Sequence, residues 1–476
     1  MMPAFHVWDP MELTFQGPRS GNPYLEVRLS AKFQGPSGSV EVPGFYDGEG
    51  VYKVRFLPAA PGSYRWSTQS NTPELNGREG SFEVGPARPG RHGPVRAEGV
   101  RLRHADGTPH LSFGTTCYAW PHQEPRMQEQ TLRTLAASPF NKIRFCVFPK
   151  SYRYNENEPP LYPFEGKPMR DWDWNRPNYA FLRHFEECVR KLDELGIQAD
   201  IILLHPYDRW GFAKMPRDAE ARFLRHVVAR LAAFPNVWWS MANEYDLMPD
   251  RDEAYWDGLF QLVRDADPFG HLRSVHNCVR WYDHAKPWVT HLSVQGEDLA
   301  AGRDLRKKFG KPVVFDEVGY EGDIEEIWGN ISAREMVHRF WLGTVCGAYV
   351  GHGETYRHPK DLLWWAKGGE LRGESPKRIA FLRRLVEETA PTGLTPMEDD
   401  WMYFNRGARS ENGNVLIYFG PHQPSCWRMP KGGPWKVEWI DPWEMTVREI
   451  AKGAKEGEVV ELPSARPYMA LRLTRG

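Results

Sequence analysis

Asn243 and Glu244 end the run VWWSMANE (237–244), and Glu317 lies in PVVFDEVG (312–319), behind four apolar residues. Each polar group follows a stretch apolar enough to be a fully buried strand, with no turn signal between. Two carboxylates delivered to one place can do paired work on a glycosidic bond. One protonates the departing oxygen while the other attacks the anomeric carbon, if they stand about 5–5.5 Å apart. Asp316 precedes Glu317. Strand alternation lets only one of them face the site, so the other needs its own partner. Asn-Glu also occurs twice in YNENEPP (154–160), but that Pro-rich context makes it a loop. Position behind a strand is what gives 243–244 its weight.

The surrounding elements fit that placement. From about 96 to 390, short apolar runs alternate with helix-length amphipathic segments. The runs are LSFGTTCYAW (111–120), NKIRFCVFP (141–149), IQADIILLHP (197–206), VWWSMANE, LRSVHN (272–277), VTHLSVQG (289–296), PVVFDEVG and GAYVGHGET (347–355). Between them, 178–196 ends in Gly, 218–234 opens on Asp218 as an N-cap, and 252–267 and 332–345 show the same helical spacing. Eight such units in about 290 residues predict a (β/α)8 TIM barrel, whose catalytic groups sit at the C-terminal ends of the strands. Strands four and seven then face each other across the barrel. An open doubly wound sheet is the alternative, and no Gly-x-Gly-x-x-Gly follows the first run to support it.

Short alternating segments such as LEVRLSAKF (25–33) and VYKVRFLP (51–58) predict an N-terminal β-sandwich. The Pro/Gly/Arg-rich GPARPGRHGP (85–94) reads as the linker. VLIYFG (415–420), WKVEWIDPW (435–443) and YMALRLT (468–474) predict a small C-terminal antiparallel sandwich. The expected division is 1–92, 93–392 and 393–476.

Further candidates stand at predicted barrel tops. Trp120 and His122 follow strand one and could stack on and bond a sugar. His276 ends strand five, with Trp281 beyond it. GHGETY supplies His352, Glu354 and Tyr356 after strand eight, where a third carboxylate could recognise sugar hydroxyls or bind a cation. Of Trp364 and Trp365, in the Gly-rich LLWWAKGGELRGESP (362–376), one could be a platform and the other core; Trp364 is carried as the candidate. DWDWN (171–175) reads as a rim segment, and RDLRKKFGK (303–311) as a solvated helix face.

The 476 residues carry 61 basic and 62 acidic side chains, a net charge of −1, which gives no broad field for nucleic acid or an anionic membrane. No run approaches the roughly 20 apolar residues of a membrane span. The N-terminus lacks the pattern of a signal peptide, and six cysteines without a CxxC pair fit reduced thiols, so a cytoplasmic location is expected. The 20 tryptophans are a composition that carbohydrate proteins use. The expected partner is a carbohydrate substrate, with no nucleic acid, membrane, cofactor or metal; homo-oligomerisation is left open.

Taken together, the residues resemble the clan of retaining glycoside hydrolases with Asn-Glu ending strand four and Glu ending strand seven. The resemblance implies Glu244 as acid/base, Glu317 as nucleophile, and Asn243 on the sugar 2-hydroxyl. It implies Arg144, in NKIRF, as the residue that steadies the nucleophile's charge, and His205 as a site-wall histidine. The layout is most similar to a subgroup with a DUF5060-type sandwich, matched on VYKVRFLPAAPGSYRWST, a DUF4038-like (apiosidase-like) barrel and a DUF5605-like C-terminal domain. Two departures stand out. Where the clan often has a Tyr two residues after a strand-six His, His291 is followed by Leu292 and Ser293, with Gln295 further on. Where strand eight often carries a Trp floor, this chain has GHGETY. A non-catalytic carbohydrate-binding protein on a degenerate barrel is the competing reading, which the pair Glu244 and Glu317 opposes. A metal-dependent hydrolase is a third, and FGTTCYAW lacks its usual His-x-His.

Overall fold

The computed structural model describes residues 5–168, 171–357, 363–398 and 401–475. Met1–Ala4 of the N-terminal stretch and Leu362 of the Gly-rich segment lie outside them. Eight parallel strands form the central sheet: β1 (Phe113–Thr116), β2 (Lys142–Cys146), β3 (Gln198–Leu204), β4 (Val237–Ala242), β5 (Leu272–Ser274), β6 (Leu292–Gln295), β7 (Val313–Glu317) and β8 (Tyr349–His352). Ladders join β5-β4-β3-β2-β1-β8-β7-β6 in that order, and a single bridge, His276 to Ser293, spans the remaining gap between β5 and β6. The result is a nearly closed eight-stranded barrel. Every residue of β2, β3, β4 and β7 is buried, which is why these runs are mostly apolar rather than alternating, apart from a few buried polar side chains such as Lys142, Arg144, Asp200 and Asp316.

Helices Tyr179–Glu194, Arg217–Leu231 and Glu253–Ala266 cover β2 to β5 in one large core. Two caps fit their sequences. Asn178 accepts from the amides of Ala180 and Phe181, and Asp252 accepts from that of Tyr255. Asp218 is not a cap: the chain enters the helix through Pro216, and Asp218 sits inside the first turn, where its charge favours the helix dipole. The segment around 303–311 is not purely solvated either. Helix Ala301–Phe309 buries Arg303 and Arg306, and Arg306 donates to the carbonyl of Leu394.

Residues 5–85 form a five-stranded sheet and a three-stranded sheet around a shared core. A hairpin, Val95–Glu98 with Arg101–His104, packs Val95 and Leu102 on Trp238 and Leu272 of the barrel. Residues 394–475 form a six-stranded sheet and a two-stranded ribbon. No described helix is long and apolar enough to cross a membrane.

Candidate active site

The end of β4 is bent by its neighbours. Asn243 keeps the strand's register, its amide donating to Leu204 O of β3, while the next-but-one amide, of Tyr245, donates to His276 O beyond β5. Glu244 lies between these opposed anchors with φ +49° and ψ +55°, a left-handed conformation that a non-glycine residue adopts only under constraint. Across the barrel, a register shift between Val294 and Gln295 sets Gln295 against Glu317. Strand alternation does not send the last two residues of β7 to opposite faces: Arg144 lies 4.0 Å from Asp316 and 3.8 Å from Glu317, so both reach the barrel interior, beside the register shift at Gln295. Asp316 meets Lys142 Nζ at 2.5 Å and Ser293 Oγ at 2.5 Å, and Glu317 lines the cleft.

Below the carboxylates lies a buried ionic layer. Lys142 also reaches Asp200 at 2.9 Å, and Arg144 Nε lies 3.3 Å from Asp200. Buried charges persist only when paired, and here each has a partner. The guanidinium of Arg144 lies 3.8 Å from Glu317 and donates to Asn243 Oδ1 at 3.3 Å. With that oxygen engaged, the Asn243 amide nitrogen donates to Glu244 Oε2 at 3.1 Å. The Tyr118 hydroxyl lies 3.1 Å from Asn243 Oδ1 and donates its one proton to Glu317. His276 places Nε2 3.4 Å from the same carboxylate and holds Ser293 Oγ at 3.0 Å with Nδ1. Tyr207 donates to Glu244.

The two carboxyls are therefore treated differently. Burial alone would raise Glu317, but His276, Arg144 and the Tyr118 hydrogen bond together hold it well below the usual carboxylate range. Glu244 is raised by burial and then by the charge of Glu317, with Lys150 and Tyr207 only partly opposing. Carboxyls pushed apart in this way are an acid and an anion at the same pH.

Both face one cleft of about 550 Å³, lined by Tyr118, Lys150, Tyr152, Tyr207, Asn243, Glu244, Gln295, Glu317, Gly319, Tyr320, Trp328 and Trp365. The Lys150 ammonium sits over the rings of Tyr118 at 3.6 Å, Tyr207 at 4.3 Å and Trp365 at 5.0 Å. Burial lowers its pKa.

The structure brings Asn243, Glu244, Glu317, Arg144, His276 and Gln295 together. It sets the other candidates elsewhere. Trp120 is core, edge-on to Phe145. His122 bonds Cys146 O and stacks on Phe181. His205 bonds Phe148 O and is buried away from the cleft lining, so it acts as a strap between loops rather than as a wall. Trp281 is 45% exposed and packs on His284. Trp364 turns inward, its indole donating to Thr115 Oγ1, while Trp365 faces the cleft. His352, Glu354 and Tyr356 lie outside the cleft lining, as do Trp172 and Trp174 of DWDWN, which pack around Phe212.

Sequence reasoning missed Tyr118, Lys150, Tyr152, Tyr207 and Tyr320 as site residues. All five stand within six residues after a barrel strand. Position just beyond a barrel strand is the signal that marks them, and Trp120, His122 and His205 in the same segments share it.

Comparison with known proteins gives three family matches along the chain: DUF5060 over residues 4–71, the apiosidase-like catalytic domain over 96–390 and DUF5605 over 402–474. Among solved structures, a candidate glycoside hydrolase from Bacteroides vulgatus is 38% identical, with 99% of each chain covered and a TM-score of 0.93. A family 5 glycoside hydrolase from the same species shares the fold at 15% identity and a TM-score of 0.61, covering 81% of this chain and 94% of its own. A further glycoside hydrolase does so at 14% identity and 0.59, covering 81% and 97%. Curated proteins give no match.

Proposed function

The chain belongs to the apiosidase-like family, and from that premise we propose that it is a retaining glycoside hydrolase acting on a short glycan or glycoside. The observation that carries this reading is the asymmetry of partners around two carboxylates in one cleft. Arg144, His276 and Tyr118 converge on Glu317, whereas Glu244 has Tyr207 and the Asn243 amide. Glu317 is kept anionic, as a nucleophile must be. Glu244 is kept able to hold a proton, as a general acid must be.

In the proposed first step, a Glu317 oxygen bonds the anomeric carbon as the glycosidic bond breaks, and Glu244 gives its proton to the departing oxygen. In the second, Glu244 takes a proton from water, the water oxygen bonds the anomeric carbon, and Glu317 leaves as carboxylate. The Asn243 amide nitrogen, next to Glu244, would turn to the sugar 2-hydroxyl. The aromatic walls offer faces for the apolar side of a sugar ring. The β-rich parts on either side are read as sandwiches that brace the barrel, and the location as cytoplasmic, which favours imported oligosaccharides over polymers.

A panel of aryl α- and β-glycosides (apioside, arabinosides, xyloside, glucoside, galactoside, mannoside) tests this, with Glu244→Ala and Glu317→Ala beside the unaltered protein. The expected result is cleavage of one glycoside with retained anomeric configuration by NMR, and a loss of at least ~10³-fold in rate for each variant. Inversion at the anomeric carbon, or near-full rates in the variants, would remove the two-glutamate reading.

A further inference from the structure

Two carboxylates outside the catalytic pair stand together in the interior. Glu321 and Glu354 oppose each other on a short parallel ladder beyond the ends of β7 and β8, with Gly322 opposite Thr355. They are 0% and 1% exposed. Among the described residues, no basic side chain stands within ion-pair distance of either. Two buried like charges with no ion-pair contact are unfavourable, and one must gain a proton or both must share a cation.

A third group completes the cluster. His352 is fully buried and stacks on Phe140. A ring nitrogen of His352 and a carboxylate oxygen from each glutamate all lie within 4.8 Å of one another. Its Nδ1 lies 3.1 Å from Thr115 Oγ1, while Nε2 has no hydrogen-bond partner. A neutral imidazole is the form that ligates metals. The carboxylates are also oriented from behind. Glu354 accepts from the amides of Arg372 at 2.5 Å and Gly373 at 2.8 Å. Glu321 accepts from the amides of Glu374 at 2.8 Å and Ser375 at 3.1 Å, and from the Tyr356 hydroxyl at 3.0 Å. Both Glu354 oxygens and Glu321 Oε2 accept one bond each and keep a lone pair, whereas Glu321 Oε1 accepts two. Hydrogen bonds of this kind are what fix metal-ligating carboxylates and imidazoles in place.

We propose that Glu321, His352 and Glu354 are the ligands of one divalent cation, of the zinc or manganese type that accepts imidazole beside carboxylate. The cation joins the extensions of β7 and β8 to the segment 372–375. It also steadies the wall of the cleft, because Thr115 is shared by His352 and Trp364, the neighbour of Trp365. This role is structural. It does not depend on the glycosidase reading, and no step at Glu244 or Glu317 passes through it.

The test uses the full-length protein, stripped with EDTA, dialysed, and titrated separately with zinc, manganese and calcium chlorides. Metal content and the thermal midpoint are the readouts. The expected result is one equivalent of zinc or manganese retained per chain, with a midpoint several degrees higher that EDTA reverses. Glu354→Gln and His352→Asn should keep the circular dichroism of the stripped protein and neither retain metal nor shift. X-ray absorption at the metal edge of the unaltered protein should show oxygen ligands and one imidazole, a reading that holds even if both variants fail to fold. Three outcomes overturn the site: no equivalent retained, variants that bind as well as the unaltered protein, or sulfur in the coordination shell. The first of these assigns the two glutamates a shared proton instead.

Discussion

The opposed environments of Glu244 and Glu317 set a pH dependence whose signs follow from their neighbours. In the proposed mechanism Glu317 works as an anion, so kcat/KM should rise as pH climbs through its depressed pKa. In the same mechanism Glu244 works as an acid, so kcat/KM should fall once pH passes its raised pKa. Tyr118→Phe removes the hydroxyl that donates to Glu317 and leaves the ring beneath Lys150. The acid limb should move to higher pH, with kcat falling by up to roughly 10²–10³-fold, the scale of losing one preorganised donor. A pH profile with an unmoved acid limb would show that Tyr118 only packs. Lys150 acts on the other carboxyl. It is the foremost cation opposing the rise of Glu244. Lys150 also feels the charge of Glu317, though less than that of Glu244, so Lys150→Met should shift the alkaline limb upward and move the acid limb less, read from kcat/KM across pH on the same substrate.

The tryptophan pair at 364–365 separates packing from recognition within one short helix, Trp364–Lys367. Trp364→Ala empties a core position and breaks the bond to Thr115. It should cost about 3–5 kcal/mol of stability, measured by denaturant unfolding. Trp365 is buried against Tyr118, Tyr152, Tyr320 and Trp328, so Trp365→Ala should also cost stability, and in addition it should raise KM by roughly tenfold, as the loss of an aromatic face worth about 1.4 kcal/mol would. The reverse ranking in KM would place the platform at Trp364. The same pair marks how far sequence carries. The eight runs were legible because strands buried on both faces are continuously apolar, and Asn243, Glu244 and Glu317 were legible because each directly ends such a run. Facing within the loops was not, since a side chain there has no period to follow. Trp120, His122 and His205 follow strands as closely as Tyr118, Lys150 and Tyr207 do, and only the folded loops turn the second set toward the cleft. The β5–β6 seam carries the least pattern for a related reason: three- and four-residue strands joined by one bridge leave little hydrophobic signal.

Across the whole molecule, the N-terminal sheets are fastened to the barrel by charge as well as by apolar contact. Arg55, on strand Val51–Phe56, donates to Glu186 Oε2 at 2.9 Å, to Glu12 at 2.8 Å and to the carbonyl of Arg230 at 2.6 Å. Arg230, on a barrel helix, reaches back to Asp47 at 2.6 Å and also bonds Glu186. Glu186 thus receives one guanidinium from each side of the boundary. Arg230 and Glu186 are buried, so their charges depend on each other rather than on water. Glu186→Ala leaves two buried guanidinium groups short of a counter-charge and should cost about 3–5 kcal/mol. A change near zero in the unfolding free energy would mean that water or Glu12 replaces the lost carboxylate. The same boundary should weaken in acid. Burial would raise the Asp47 carboxyl, but Arg230, Lys53 and Arg183 outweigh it and hold the folded pKa below the ordinary value. A depressed carboxyl contributes stability that is fully present above its unfolded pKa and is lost as pH falls through the folded one. Asp47→Asn should therefore destabilise the protein at neutral pH and flatten its decline below the usual aspartate range. Thermal midpoints across the acid range check both effects, and parallel curves for the two proteins would exclude Asp47 as the acid-sensitive link.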